Sequence, residues 1–526
     1  MRYIWVTGPV LRDIHTGNRL LKTQLVGFDR LRAACITDRS ATLLCAAALA
    51  LLVPLAFAPA LNDYLLSDSF RIVGLIDFPA ALQYFHDTTG FGRNEFRPLI
   101  PLSYAVDQMI WGDQPFGYHL TSVLIHTANS VLMFLIFLRL TKAVLPGFVA
   151  GVLFAMQPAH HSRVAWIAAR DSAVCLFFLL ICWLAYLHTR EREQAELAGA
   201  AGTTRGGRRL LRGVSLAAFL LALMSYEGAV AFPLVLMAME TMVYGDGAPW
   251  RQRLWRAVKA TLPLLALTAI YVAWWLLLFR GSVGSYDLLI TVKGMAANFY
   301  RLHYRLFYHV QHWLGLAYLL AFYWLWRERK TLRPLLGFSI ALIWIGYLPY
   351  MHVRGFADRF TMLSAVGAAL LLGLCATSVA QYCNSRRAAV PGLAIVPLAL
   401  ILLFSGYYAW GTGRRMKQWV AAGEKAEALL AQLQQMHPAF PEDATLLLDR
   451  IPTMHENAYV FPTGLEAAIR RRYRQELPEI HYFPAEVTAE VREQLLNQKP
   501  SYHFRYMPEQ GRLVQISAPD RISANR

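Results

Sequence analysis

Apolar runs near the length of a bilayer crossing recur through the first 410 residues, with polar segments between them. They predict spans at about 41–60, 120–138 and 145–157, then one ending near His188. The apolar stretch 214–244 is long for one span and short for two, and Ser225-Tyr226-Glu227-Gly228 breaks it. It reads as a helix pair whose turn reaches the surface at Glu227. Further spans follow at about 261–279, 310–326, 335–350, 361–382 and 391–410. The expected fold class is therefore an all-α polytopic membrane protein of about 11 transmembrane helices.

The polar segments give the sidedness. Arginines and lysines crowd 1–40, 139–142, 189–213, 245–260, 327–333 and 386–387, which should face the cytoplasm. The alternate segments face outward: a long first loop 61–117, a turn at 159–163, a second loop 280–309 and a short loop 352–360. This alternation puts the N-terminus inside and the C-terminus outside. The pattern divides the chain into a transmembrane domain, 1–410, and a C-terminal extracytoplasmic domain, 411–526, expected to be small and α/β or α+β. The second opens with a helical stretch at 415–436 and continues with alternating segments such as Thr-Leu-Leu-Leu-Asp.

Composition narrows the class. The chain has 526 residues, is 56% hydrophobic and carries only 16% charged residues, less than a soluble surface requires. Its formal net charge of +17 follows from basic inner loops, and with no zinc-finger spacing nucleic acid is excluded as a partner; membrane lipid is the partner expected. The six cysteines sit mostly in or beside apolar runs and read as small core residues. About 40 residues of mixed polarity precede the first run, so no cleavable signal is expected. With the arginine-rich inner loops, the absence of glycosylation or retention signals fits a bacterial inner membrane, with the endoplasmic reticulum as the alternative.

The outer segments carry acids, arginines, histidines and tyrosines beside apolar walls, a mixture suited to a substrate with a charged head and a greasy tail. Asp68, in Leu-Leu-Ser-Asp-Ser-Phe, is the first candidate for a general base, and Asp63 the alternative; the bland reading of Asp68 is a helix cap or loop ion pair. Arg97, Arg163, Arg170 and Arg359 are candidates to hold a lipid phosphate, because a guanidinium stays charged and forms paired bonds to phosphate oxygens. Their bland reading is pairing with lipid headgroups or with Asp68, Asp107, Asp171 or Asp358. Glu227, an acid in an apolar stretch, needs a partner or a role. His160 and His161, with His119 and His126, match no zinc spacing, so no metal ligand is assigned. No cofactor is assigned; a divalent metal stays open as an alternative that no motif supports.

Several pieces resemble one family. Phe96-Arg-Pro-Leu-Ile-Pro-Leu-Ser-Tyr104-Ala-Val-Asp107 and Trp111-Gly-Asp-Gln-Pro-Phe-Gly-Tyr-His-Leu-Thr-Ser-Val-Leu-Ile-His126 resemble the first-loop and second-span signature of GT-C glycosyltransferases of the protein O-mannosyltransferase and TMTC type. Gln157-Pro-Ala-His160 with Val164-Ala-Trp-Ile-Ala-Ala-Arg170-Asp, Ser225-Tyr-Glu227 and Ala357-Asp358-Arg359-Phe-Thr-Met-Leu-Ser364 resemble later segments of that family, in the same order. The resemblance covers roughly residues 60 to 375. It implies transfer of a sugar from a polyprenyl-phosphate-linked donor to an acceptor hydroxyl on a glycan, lipid or protein, at the outer face of the membrane. An acid in the first outer loop is the family's base, and Asp68 matches it. The chain departs from the family pattern. Ser67 stands beside Asp68 where a second acid is common, Gln157 where histidine is usual, Ser162 where glutamate is, Tyr226 where lysine is, and Asp358 where glutamate is. These departures motivate an alternative: a GT-C scaffold without chemistry that binds lipid-linked sugar or a protein partner. A transporter is the third reading, disfavoured by the lack of inverted repeats.

Overall fold

The computed structural model describes residues 39–61, 64–86, 96–197, 205–245, 247–279, 291–307, 313–353, 356–385, 395–474, 479–496 and 501–516. In chain order its helices are α1 (Arg39–Phe57), α2 (Phe78–Gln83), α3 (Leu99–Trp111), α4 (Pro115–Thr141), α5 (Val144–Ala155), α6 (His161–Ala165), α7 (Asp171–Leu197), α8 (Arg205–Leu223) and α9 (Phe232–Met242). There follow α10 (Trp250–Phe279), α11 (Val292–Leu306), α12 (Trp313–Glu328), α13 (Arg333–Tyr347), α14 (Met362–Ser385), α15 (Ile395–Met436), α16 (Leu465–Tyr473) and α17 (Ala489–Leu496). Each span expected from hydropathy overlaps one of these helices, 310–312 and 391–394 lying outside the described residues. Among the described residues, six helices are long and apolar enough to cross a membrane by length and composition; they contain α1, α4, α7, α10, α13 and α14. The chain is an integral membrane protein of the expected all-α class with a small C-terminal sheet region.

Helix ends follow local chemistry. Pro115 sits at the first turn of α4, where its missing N–H costs nothing, and the helix stops at Lys142 in the left-handed region. Asp77 caps α2 by accepting from the Ala80 N–H at 2.8 Å. Hydroxyls inside the spans are satisfied by their own helix: Thr127 donates to the Val123 carbonyl and Ser339 to that of Leu335.

Two cores result. One joins α7, α8, α9, α13 and α14 around Trp183, Phe232 and Phe338, all fully buried. There α13 and α14 touch closely. A Cβ on Gly367 would stand 2.7 Å from the Ser339 carbonyl oxygen and 2.8 Å from the Ile343 nitrogen. The second core joins α1, α4 and α5 to α15 and to the outer sheet, through Phe134, Trp419, Leu446 and Phe504.

The sheet strands are β1 (Thr445–Asp449), β2 (Met454–His455), β3 (Ala458–Tyr459), β4 (Glu479–Tyr482), β5 (Ser501–Met507) and β6 (Arg512–Ile516). The main sheet runs β4-β1-β5-β6, with β1 parallel to β4 and β5, and β6 antiparallel to β5. Central β1 is buried at all five positions, as a strand covered on both faces requires. The domain boundary expected at 410 lies within α15, a continuous helix of 42 residues, about 63 Å long. It carries the chain from the apolar region into the sheet domain without a linker. The outer segments are also more ordered than loops: α2 and α3 occupy the first, and α11 the second. In α11, Asn298, Leu302 and Leu306 share one buried face, four residues apart.

Candidate functional site at the outer face

The 3₁₀ turn Ser67–Arg71 carries Asp68. It is clamped against the sheet domain. The Ser67 N–H donates to the Val460 carbonyl, and Thr463 Oγ1 donates to Asp68 Oδ1 at 2.7 Å. Phe70 stacks on Phe461 at 5.8 Å, and Arg71 stands 3.9 Å from the Asp68 carboxylate. Gly464, at φ +83°, lies where a Cβ would sit 2.2 Å from the Ser67 carbonyl oxygen, so only glycine permits this contact. Asp68 keeps 14% of its side chain exposed. Phe70 of the same turn, with Tyr64 and Leu65, walls one side of a cavity of about 1020 Å³ whose other side carries Gly423, Glu427 and Arg471; Asp68 itself does not line it. Asp63 lies outside the described residues.

Arg97 is committed elsewhere. Its Nε and Nη2 donate to the two oxygens of Glu227 at 2.7 and 2.6 Å, and its Nη1 to Asp171 at 2.5 Å. The ring of Tyr226 lies 4.5 Å beneath the guanidinium. Two carboxylates leave the group with net negative charge, so Arg97 positions Glu227 rather than offering charge to a phosphate. Burial pushes the Glu227 carboxyl up, and Arg97 outweighs it, so Glu227 lies below its ordinary value. Glu227 opens the turn between α8 and α9, as the break in hydropathy predicts.

Arg170 is fully buried and paired with Asp107 at 2.5 Å, and it also donates to the Tyr118 carbonyl and Ser122. Tyr104 donates to the Ile167 carbonyl, with Arg170 over its ring at 5.0 Å. These groups fasten α3, α4 and α7 together beneath the outer surface. His160 is also a core group. It is 1% exposed, against Phe154 at 4.4 Å and His126 at 5.0 Å, and burial holds its pKa well below the ordinary histidine value.

Asp358 has a more specific setting. His161 Nε2 lies 2.6 Å from its carboxylate and Trp419 Nε1 donates to His161 Nδ1 at 2.7 Å. The indole fixes Nδ1 as the acceptor, so His161 donates from Nε2 to Asp358. Burial lowers the His161 pKa, with Asp358 opposing. Arg305 approaches the same carboxylate at 3.4 Å. Arg163 donates to Thr361 at 3.1 Å, and burial lowers its guanidinium to about 10. Arg359 lies over Phe360, which stacks on Tyr350 at 4.6 Å.

Arg305 opens onto a second cavity, of about 460 Å³, with Tyr304, Tyr407, Trp410, Arg414 and Arg415 around it. Its aromatic rim lies just beyond the exposed leucines Leu402 and Leu403 of α15. Three arginines thus stand above an apolar surface, at the depth where tryptophan and tyrosine mark a bilayer interface. At 100° per residue, positions 414, 415 and 418 occupy a different side of α15 from 420, 423 and 427, so this helix is the wall between the two cavities. Among the described residues no group of three or more His, Cys, Asp or Glu side chains is placed to hold a metal ion.

Arg305, Arg414, Arg415, His161, Trp419 and Thr463 were not singled out as site residues from sequence. The available signal was Arg-Arg followed by Gln-Trp at the end of the last apolar run, where a basic pair on an outer face is unusual.

No protein-family model matches this chain. It is 40% identical over 105 residues to the protein O-mannosyl-transferase TMTC2 of Mus musculus, covering 19% of this chain and 12% of that protein. It is 28% identical over 167 residues to the protein O-mannosyl-transferase TMTC4 of Homo sapiens, covering 27% of this chain and 22% of that protein. The chain thus matches about an eighth to a fifth of these relatives' length. Its structure is similar to the apo oligosaccharyltransferase of Archaeoglobus fulgidus, with TM-score 0.50 and 11% identity, over 89% of this chain and 69% of that one. The fold is GT-C-like, and the sequence is similar to the TMTC protein O-mannosyl-transferases over part of its length.

Proposed function

We propose that the chain is a membrane glycosyltransferase that moves a sugar from a polyprenyl-phosphate-linked donor to an acceptor hydroxyl on the outer face of the membrane. The observation that carries this reading is the pairing of two cavities across α15. One holds Arg305, Arg414 and Arg415 among the aromatic rings of Tyr304, Tyr407 and Trp410, with Glu456 as the one acid in its lining; the other is walled by Phe70, two residues from Asp68. The first suits a phosphate with an isoprenoid tail, and its arginines take the growing negative charge of the leaving phosphate. Among the arginines expected from sequence, Arg163 and Arg359 remain candidates to support this site. Asp68 accepts the proton of the acceptor hydroxyl as it attacks the anomeric carbon. Transfer requires no metal in this scheme. The acceptor is a glycan, lipid or protein entering under the C-terminal domain, and the names of the relatives make mannose the first sugar to assay. We place the outer domain in the periplasm of a bacterial inner membrane on the basic-loop pattern; the curated relatives named above are animal proteins, so reporter fusions after 213 and 440 should settle sidedness.

The test is mass spectrometry of lipids copurifying with the full chain. Asp68→Asn should retain donor and lose transfer, while Arg305→Gln with Arg414→Gln should lose the bound polyprenyl phosphate. Full transfer by Asp68→Asn would remove Asp68 from the mechanism. The scaffold reading has one specific support: the departing positions are absorbed into packing. Gln157 donates to the Leu306 carbonyl, and Tyr226 is 1% exposed. It predicts bound lipid-linked sugar with no product from the wild-type chain.

A further inference from the structure

The face opposite Asp68 carries a built pocket that the proposed chemistry does not use. On α7, Asp171 is tied to the outer cluster, and Glu193 lies 22 residues further along the same helix, about 33 Å away. That is one hydrocarbon thickness. Here α7, α8, α9 and α10 enclose a cavity of about 530 Å³.

Its base is a closed set of ion pairs. Arg190 bonds Glu240 at 2.8 Å and Glu193 at 2.7 Å, Arg212 bonds Glu193 at 2.5 Å, and Tyr186 donates to Glu240 at 2.9 Å. Two arginines against two glutamates are neutral together, and the pairing fixes their rotamers. The wall from α10 then adds Arg256 and Lys259. Neither pairs with an acid among the described residues, so the cavity has a net charge of about two positive units. Its remaining wall carries the apolar Leu216, Pro263 and Leu264, with Thr189 and Ser215 beside them. Pro263 has no N–H, which frees the Lys259 carbonyl from its helical partner and adds an acceptor at the same level. Depth is marked by Trp250 and Trp255, 61% and 60% exposed, with Lys259 over the Trp255 ring at 5.2 Å. Exposed tryptophans beside basic residues belong at the headgroup level of a bilayer.

We propose that this cavity binds the headgroup of an anionic phospholipid from the leaflet opposite the Asp68 face. Its phosphate faces Arg256 and Lys259, a headgroup hydroxyl reaches the free Lys259 carbonyl, and an acyl chain lies along Leu216 and Leu264. Charge complementarity selects an anionic headgroup over a zwitterionic one, since the neutral base offers no excess carboxylate for a choline or ethanolamine nitrogen. The site ties α7, α8 and α10 together at the end remote from the chemistry.

Native mass spectrometry of the full chain, with phosphatidylglycerol or phosphatidylcholine added to delipidated protein, tests this. Phosphatidylglycerol should bind on the order of tenfold better, and Arg256→Gln with Lys259→Gln should abolish that preference, each charge near the surface contributing a several-fold effect. Arg256→Lys with Lys259→Arg, which keeps the charge, should restore it and guards against a folding defect. Equal binding of the two lipids, or an unchanged preference in the double glutamine variant, would overturn the proposal. So would displacement of the lipid by soluble glycerol phosphate, which would assign the pocket to a free phosphate ester.

Discussion

His161 is held in one protonation state by two residues far apart in sequence. Trp419 gives its N–H to Nδ1, and Asp358 takes the proton of Nε2. A second proton on the ring would break the indole bond, and burial opposes it further. Trp419→Phe removes the donor and should raise the His161 pKa. If transfer needs this neutral ring to position Asp358 and Arg305, the acid limb of the pH–activity profile should move to higher pH with KM for the donor changed more than kcat. An unmoved profile would leave Trp419 a packing residue. Arg97 makes the second prediction. Arg97→Ala strips Glu227 and Asp171 of the guanidinium bonded to both, and should cost about 3–5 kcal/mol in unfolding of the detergent-solubilised chain; Arg97→Lys should cost less, since charge is kept and only the paired bonding is lost. Sequence reading placed Glu227 in need of a partner but could not supply it. The acids that neutralise Arg97 and Arg170 come from other helices, and a one-dimensional pattern holds no record of which helices meet.

At the scale of elements, the apolar runs fall on helices, six of which among the described residues are long and apolar enough to cross a membrane, because the bilayer itself imposes that apolar length. Hydropathy was less informative where a helix lies outside that constraint. In α11, polar and apolar residues share one amphipathic helix, so the average over a window reads as loop. The continuity of α15 was hidden for a related reason: composition changes at about residue 410 while helix geometry does not. Close packing was equally invisible, because a glycine in a span has many uses. At Gly367 the use is contact between α13 and α14. Gly367→Ala puts a methyl against the Ser339 carbonyl and the Ile343 nitrogen, both backbone atoms that cannot rotate away. The helices must separate, and the loss should be about 1–3 kcal/mol, read as a lower detergent melting temperature. Gly406 has no neighbour within 4 Å of a built Cβ, so Gly406→Ala should leave stability unchanged or slightly raised. Equal melting temperatures for the two alanine variants would mean that the α13–α14 contact is loose.

At the scale of the molecule, the outer domain is the part whose attachment acid should weaken first. At the end of β1, Asp449 is fully buried and bonded by Arg505 at 3.0 Å and by His503 at 3.2 Å. Burial pushes its carboxyl up, and the Arg505 bonds and the Val487 N–H outweigh it, so the folded value is depressed. Stability from such a group is fully present above the unfolded carboxylate value, near 3.9, and is lost as pH falls through the lower folded value. His503 works in the same direction over a higher window. Burial depresses its pKa against the pull of Asp449, so between about 6.5 and its folded value the unfolded chain binds the extra proton and stability falls with pH. The sheet carries Thr463, which holds Asp68. Acid loosening of the sheet should therefore release the Ser67–Arg71 turn and abolish transfer before the transmembrane helices unfold. Limited proteolysis across a pH series should show cuts in 440–516 preceding any in α7 or α14. His503→Gln should remove the upper part of this dependence, because an amide can still donate to Asp449 without titrating. If the two regions become sensitive together, α15 couples the domains too tightly for the sheet to yield alone, and the pH limit on activity must instead arise at His161.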